Sequence, residues 1–209
     1  MKIICVGKNY ADHIKEMNAI QLWDTTNPKE PVLFLKPQTA IINKRQPFFI
    51  PSFSKEIHYE LEIIVRINRL GKFIKRKFSH KYYEEIGLGI DFTARDLQLE
   101  LKQKGLPWEK AKAFDGSCLI GKWKNKKDFN NINDINFKLT KNDEIVQNSN
   151  TSLMLWKIDE LIEHISKFFT LKIGDVIFTG TPSGVGKVQL NDKLKGYMDD
   201  NELLSINIK

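Results

Sequence analysis

From Ile57 to Ile63 the chain alternates apolar and polar residues: Ile57, His58, Tyr59, Glu60, Leu61, Glu62, Ile63. Successive side chains of a strand point to opposite faces, so this stretch forms a strand with Glu60 and Glu62 on one face, roughly 7 Å apart along the chain. Two carboxylates that close need either water to screen them or a cation between them. The first alternative is the solvated face of a half-exposed antiparallel sheet, with Ile57, Tyr59, Leu61 and Ile63 turned to the core. The second is an all-oxygen site for a hard divalent ion. Asp91 closes the apolar run from Gly87 to Phe92, a second strand candidate, and supplies a third acid for such a site.

The chain has 209 residues, enough to bury a substantial core. No stretch approaches the roughly 18 consecutive apolar residues that span a bilayer, and the opening Met1 to Gly7 lacks the flanks of a signal peptide. A cytoplasmic location is the default expectation. Cys5 and Cys118 are the two cysteines, each inside an apolar run and outside any paired-ligand spacing. Both are expected to be small buried hydrophobes. The net charge is +7, much of it between Gly71 and Lys81. Without an accompanying nucleic-acid motif that run is expected to be a solvated basic turn, with neither nucleic acid nor membrane as partner. A positive field also attracts small anionic substrates.

Strand candidates are Lys2 to Val6, Val32 to Leu35, Ala40 to Ile42, Ile57 to Ile67, Gly87 to Phe92, Val176 to Phe178 and Leu203 to Ile208. Phe137 to Thr140 and Glu144 to Gln147 flank Lys141-Asn142-Asp143 as a hairpin. Helices are expected from the loop at Gly7 into Met17, from a capping-box-like Thr93-Ala94-Arg95-Asp96 to about Gln103 with Gly105 as the stop, and along Ile158, Leu161, Ile162, Ile165, Phe168 and Phe169, with His164 off the apolar stripe. Many strands with a few isolated helices predict an α+β fold that is mostly β.

Four segments concentrate polar residues beyond what a core or a loop requires. In the first, His13 and Glu16 stand three apart and so share a helical face. A carboxylate beside an imidazole orients it for proton transfer, although such pairs also occur on solvated helices. The second is His58 to Glu62, and the third is Asp91 to Gln98 with Lys112. The stretch Leu106 to Asp115 holds Lys110 and Lys112 among apolar residues, where one lysine is available as an inward charge and snorkelling is the alternative. The fourth, Thr179-Gly180-Thr181-Pro182-Ser183-Gly184-Val185-Gly186, fails both phosphate-loop and dinucleotide spacings. It remains able to offer backbone N–H groups and the Thr181 hydroxyl to a carboxylate.

Six segments, Gly7 to His13, Pro31 to Pro37, His58 to Glu62, Asp91 to Asp96, Lys104 to Trp108 with Lys112, and Thr179 to Gly186, together resemble the fumarylacetoacetate hydrolase family, in particular its short acylpyruvate hydrolase and oxaloacetate decarboxylase branch. The resemblance implies a single catalytic domain over residues 1–209, residues 1–30 forming an N-terminal strand and a lid-like segment. It implies a mixed β-sandwich or β-roll with peripheral helices, usually as a homodimer. It further implies Mg²⁺ or Mn²⁺ held by Glu60, Glu62 and Asp91, Lys112 beside the metal, Arg95, Gln98 and Thr181 against the substrate, and His13 with Glu16 activating water. Lys110 competes for the lysine role, and the spacing from Pro107-Trp108 favours Lys112. The segment Gln21 to Asn27 departs from the family, whose lid is variable there.

On that resemblance the substrate is a small anionic 2-oxo acid. Hydrolysis of an acylpyruvate would release pyruvate and a carboxylic acid, its electrons collapsing toward a pyruvate enolate that metal and Lys112 stabilise. Decarboxylation of oxaloacetate, or keto–enol isomerisation as in an oxaloacetate tautomerase or a diene-dioate isomerase, uses the same electron sink. The dyad places hydrolysis first. The non-enzymatic alternative is a basic nucleic-acid or protein-binding module, which predicts no response of stability to Mg²⁺.

Overall fold

The structure, a computed structural model, describes residues 1–19, 27–43 and 46–209, so the variable lid segment lies outside the described residues except for Asn27. Strand β1 (Ile3–Gly7) leads into helix α1 (Ala11–Ala19) and then β2 (Val32–Lys36). The alternating segment becomes β3 (Ile57–Tyr59) and β4 (Leu61–Ile67), interrupted only at Glu60. The basic run carries α2 (Arg76–Ser79) and connects β4 to β5 (Tyr83–Asp91). Next come β6 (Thr93–Ala94), α3 (Arg95–Gln103), α4 (Glu109–Lys112) and β7 (Cys118–Asn125). The chain continues through β8 (Asn136–Lys141), β9 (Glu144–Asn150), α5 (Ile158–Phe168), β10 (Val176–Phe178), β11 (Gly186–Lys187), β12 (Lys193–Met198) and β13 (Asn201–Asn207).

The strands form three sheets, ordered β2-β1-β10-β4-β5-β7, β11-β3-β6 and β13-β12-β8-β9. Among the described strands every neighbouring pair is antiparallel except β1 with β10. Ile41, just beyond β2 at one edge of the large sheet, bridges in parallel to Cys118 at the start of β7, the opposite edge. The sheet therefore curls on itself, and the fold is the mostly β, α+β sandwich and roll expected from the sequence. Leu61, Ile63 and Val65 share one apolar cluster with Phe137, Leu139 and Leu204, so the large and the four-stranded sheets bury their facing sides together. No described helix is long and apolar enough to cross a membrane.

The β8–β9 hairpin turns at Asn142 and Asp143, both in the left-handed region at φ 53° and 69°. That pairing matches the right-handed twist of the strands it joins. Three local expectations are corrected. Ala40 to Ile42 is not a strand: after Pro37, which lacks an N–H for a ladder, Gln38–Ala40 forms a 3₁₀ turn and Ile41 makes a single bridge. Thr93 does not cap α3. Ala94 occupies the cap position without a side-chain bond, and the Thr93 hydroxyl faces a lysine instead. Phe168 leaves the apolar stripe of α5: Leu161, Ile162 and Ile165 are buried, while Phe168 is exposed.

Candidate active site

The solvated-face reading of the alternating strand fails because the second face of the sheet is also covered. Glu60 and Glu62 lie on the side of β4 that carries Ile64, which packs with Ile3, Cys5, Val176 and Phe178 in a second apolar cluster. Both cysteines belong to that cluster as free, buried thiols. Leu61 pairs with Ile90, which sets Glu60 opposite Asp91 on the neighbouring strand, and Glu62 opposite Gly89. Opposed residues share a face, so the three carboxylates converge: one oxygen of each lies within 4.8 Å of the other two, and all three side chains are buried.

Buried like charges need compensation. Lys112, delivered by α4, directs its three protons to Glu60 Oε2 (2.6 Å), Asp91 Oδ2 (3.0 Å) and Thr93 Oγ1 (2.6 Å). Lys110 points to solvent and drops out of the lysine role. Arg95, at the start of α3, donates to Glu60 Oε1 and, at 2.6 Å, to Gln98 Oε1. Burial pushes Glu60 up, yet the Lys112 and Arg95 cations overrule it and hold its carboxyl well below the usual range. Glu62 moves the other way. Burial, then the Asp91 and Glu60 charges, push its carboxyl well above the usual value against the 2.5 Å hydrogen bond it accepts from Gly180 N–H. Burial alone would discharge Lys112, but Asp91 and Glu60 outweigh it and raise its value, so it serves as a fixed positive charge.

His13, buried on α1, has Nδ1 2.9 Å from Glu16 Oε2. The second oxygen of Glu16 accepts from Gly184 N–H at 2.9 Å, which clasps α1 to the glycine-rich loop. Both glycines of this loop that meet the site need their lack of a side chain. Gly180 (φ 98°) would bring a Cβ within 2.7 Å of Asn9, and Gly184 (φ 95°) within 2.2 Å of the Val146 carbonyl. His13, Glu60, Glu62, Asp91, Gln98, Lys112 and Thr181 line one cleft with Phe34 and Trp108. Of the nine side chains expected at the site, Arg95 and Glu16 stand immediately behind that lining, each bonded to a residue in it.

Three groups at the site were not anticipated, Lys36, Thr93 and Gln147, whereas the Gly180 N–H on Glu62 is the backbone donor to a carboxylate expected of the glycine-rich loop. Lys36, buried at the end of β2, aims its protons at Lys112 O, Ser117 O (3.2 Å) and Ser117 Oγ (3.0 Å). It also lies 2.8 Å from Asp91 Oδ1, a charge contact without an aligned hydrogen bond. In β2 it stands two residues after Phe34 and so faces the same way as that cleft-lining ring. Gln147 of β9 accepts from Leu61 N–H (2.9 Å), between the two glutamates, and donates to Thr181 Oγ1 (2.9 Å) and Pro182 O (3.0 Å). It ties the acidic strand to the loop that carries Thr181, as a positioning residue. Replacing Gln147 with Leu leaves the buried Leu61 N–H without its acceptor and the Pro182 carbonyl with only the long 3.4 Å bond from the Thr181 hydroxyl. We expect a stability loss of about 1–3 kcal/mol, read from the urea midpoint.

The residues present fit a divalent cation. Asp91 Oδ1 is buried and accepts no hydrogen bond, Glu62 is held against its own charge, and the donor set is all oxygen. They also fit an anionic ligand. With Oε1 of Gln98 taken by Arg95, its buried Nε2 has no acceptor, and neither does Arg95 Nε.

The profile of the fumarylacetoacetate (FAA) hydrolase C-terminal family matches residues 2–209. The chain belongs to the fumarylacetoacetate hydrolase family. It is 42% identical over 203 residues to oxaloacetate tautomerase YcgM of Escherichia coli, covering 97% of this chain and 90% of that protein. It is 39% identical to the human mitochondrial oxaloacetate tautomerase FAHD1, covering 92% and 85%. The structure superposes with a TM-score of 0.90 on fumarylpyruvate hydrolase of Pseudomonas aeruginosa in complex with Mn²⁺ and pyruvate, at 32% identity, covering 100% of this chain and 89% of that one. Family membership makes it an enzyme of the hydrolase and tautomerase group, and its acidic triad is able to hold a metal.

Proposed function

We propose that this enzyme is a Mg²⁺- or Mn²⁺-dependent oxaloacetate tautomerase. One observation carries the reading: six buried charges surround the cleft, Glu60, Glu62 and Asp91 against Lys36, Arg95 and Lys112, and they cancel. A divalent ion gives the site a net positive charge of two. A 2-oxo dicarboxylate, oxaloacetate or fumarylpyruvate, returns it to zero, which a buried, low-dielectric cleft favours over a monoanion such as acetylpyruvate. The tautomerase names of the relatives in Escherichia coli and human agree with this substrate.

Glu60, Glu62 and Asp91 would hold the ion, which when bound polarises the substrate's C2 oxygen. The remaining work belongs to the chain. Gln98 Nε2 supplies the donor for a substrate carboxylate, and the Thr181 hydroxyl, fixed by Gln147, bounds the opposite side of the cleft. Lys112 keeps its charge beside the position where negative charge develops on O2. His13 moves the proton: with Nδ1 engaged by Glu16, Nε2 is the nitrogen that exchanges it with substrate C3. In ketonisation the O2–H bond breaks and a C3–H bond forms, with no net gain or loss of electrons.

A second reading, hydrolysis of an acylpyruvate, is favoured by the same dyad, which is also suited to deprotonating water, and by the likeness to the Pseudomonas aeruginosa enzyme. The deciding experiment follows enol absorbance of oxaloacetate in parallel with pyruvate release from acetylpyruvate, fumarylpyruvate and oxaloacetate, each with Mg²⁺. Ketonisation is expected to exceed the Mg²⁺-only rate by orders of magnitude while pyruvate release stays slow. Rapid pyruvate release from an acylpyruvate would reassign the enzyme to hydrolysis, and rapid release from oxaloacetate alone would make it a decarboxylase.

A further inference from the structure

The basic run was expected to be a solvated turn without a membrane partner, yet the structure exposes its own Leu70, Phe73 and Phe78 and brings Phe168 and Ile173 to the same end. Residues 69–81 hold Arg69, Lys72, Lys75, Arg76, Lys77 and Lys81 and no acid, so this one connection accounts for all but one unit of the net +7. Five large apolar side chains stand exposed at the same end of the molecule: Leu70, Phe73, Phe78, Phe168 and Ile173, between 44% for Phe78 and 72% for Ile173. Isolated exposed apolar residues are normal, whereas a cluster rimmed by one sign of charge marks an interaction surface.

The cluster is built on fixed backbone. Gly71 and Leu171 exchange both of their hydrogen bonds (3.0 and 2.8 Å), Phe73 N–H donates to Ser166 O (3.0 Å), and Ile74 N–H to Ser166 Oγ (2.9 Å). These bonds lay the turn along the end of α5 and the segment after it, which brings Leu70 and Phe73 beside Phe168 and Ile173. Phe73 is held at φ 53°, an unfavourable conformation for a bulky residue, and its ring is nonetheless turned outward. Among the described residues Arg76 is the one cation of the six with a carboxylate partner, Glu160 at 2.9 Å, and Glu163 accepts from its backbone N–H.

We propose that this face docks on an anionic lipid surface, its apolar side chains entering the headgroup boundary while the lysines meet the lipid phosphates. The charge chooses the partner. A second copy of the chain would set like charge against like across a two-fold contact. Stacked nucleobases need open aromatic faces. Here the Lys72 ammonium lies 4.9 Å from the Phe73 ring centre, and those of Lys77 and Lys81 lie 5.0 and 5.3 Å from that of Phe78. Leu70 and Ile173 offer no stacking surface at all. Aliphatic and aromatic tips ringed by lysines fit an interface with anionic lipid. The connection joins the far ends of β4 and β5, roughly 20 Å along the strands from Glu60, Glu62 and Asp91, so docking leaves the cleft open.

The test is co-sedimentation of the full chain with vesicles of phosphatidylcholine alone and of phosphatidylcholine with phosphatidylglycerol, at low and high salt. Binding is expected only with phosphatidylglycerol and to weaken with salt. Replacing Lys72, Lys75 or Lys77 by Gln should weaken it about fivefold per residue. Phe73→Asn, which suits the left-handed backbone, and Ile173→Ser should weaken it at unchanged charge, with ketonisation unaltered in every variant. No preference for phosphatidylglycerol, or full binding by Phe73→Asn and Ile173→Ser, would overturn the proposal. Displacement from vesicles by a single-stranded RNA homopolymer at equal charge concentration would reassign the face to nucleic acid.

Discussion

Mg²⁺ or Mn²⁺ at about a hundred times its dissociation constant is expected to raise the melting temperature by roughly 5–11 °C. The figure follows from about 2.7 kcal/mol of linkage and roughly 2–4 °C per kcal/mol for a chain of this size. Oxalate, a small dianion shaped like the oxygen-bearing end of a 2-oxo acid, should add to the rise only when metal is present. Glu62→Gln separates this origin from a general ionic effect. In the metal-free protein Glu62 is buried beside Asp91 and Glu60 and carries its charge at a cost, so the amide should leave stability unchanged or increase it. Its carbonyl oxygen still accepts from Gly180 N–H. With metal added, the same variant should lose the whole rise. Opposite signs in one substitution are difficult to obtain from anything but a cation held at this carboxylate. A melting temperature indifferent to both ions would remove the metal site, and with it the proposed reaction.

The parts of this site that were legible in the sequence are those whose signal is local. Period-two alternation put Glu60 and Glu62 on one face, and the three-residue step put His13 against Glu16, because strand and helix geometry fix those relations without tertiary information. That the acidic face is buried was not local: it depends on the large sheet curling on itself, so that Ile3, Cys5, Ile64 and Phe178 of its inner face pack with Ala40 and Cys118 from its two edges. Lys36 and Gln147 went unread for the same reason. Lys36 meets the Lys112 carbonyl 76 residues away, and Gln147 meets Leu61 across 86 residues from the other sheet. Thr93 shows the complementary failure. Its sequence context is a helix cap, and a buried ammonium won the hydroxyl because an unpaired charge costs more than an open cap. Likewise Phe168 fits the helical period of α5, but the helix ends there and the turn at Phe73 extends past it without covering it.

His13→Ala is expected to lower the enzymatic ketonisation rate by about 10²–10⁴-fold, the usual weight of a positioned acid–base group. The variant should keep the melting-temperature response to Mg²⁺ and oxalate, since Glu60, Glu62 and Asp91 retain the Arg95, Lys112 and Gly180 partners that hold them. That retained response distinguishes loss of a proton carrier from collapse of the cleft. Glu16→Gln should fall between wild type and His13→Ala. The amide can still bond Nδ1 and can accept from Gly184 N–H, so the ring stays oriented, but a neutral amide replaces the ring's charged hydrogen-bond partner. The substrates respond differently to these changes, and the difference reports the chemistry. Attack of water on an acylpyruvate and proton exchange at C3 both require the dyad, whereas loss of CO₂ from oxaloacetate needs polarisation of C2–O but no base. An enzyme whose ketonisation falls in His13→Ala while its residual decarboxylation persists uses His13 as the proton carrier. If ketonisation survived unchanged, the proton would have to move through another group in the cleft. Lys112, held charged between Glu60 and Asp91, cannot act as that base without giving up the contacts that fix it.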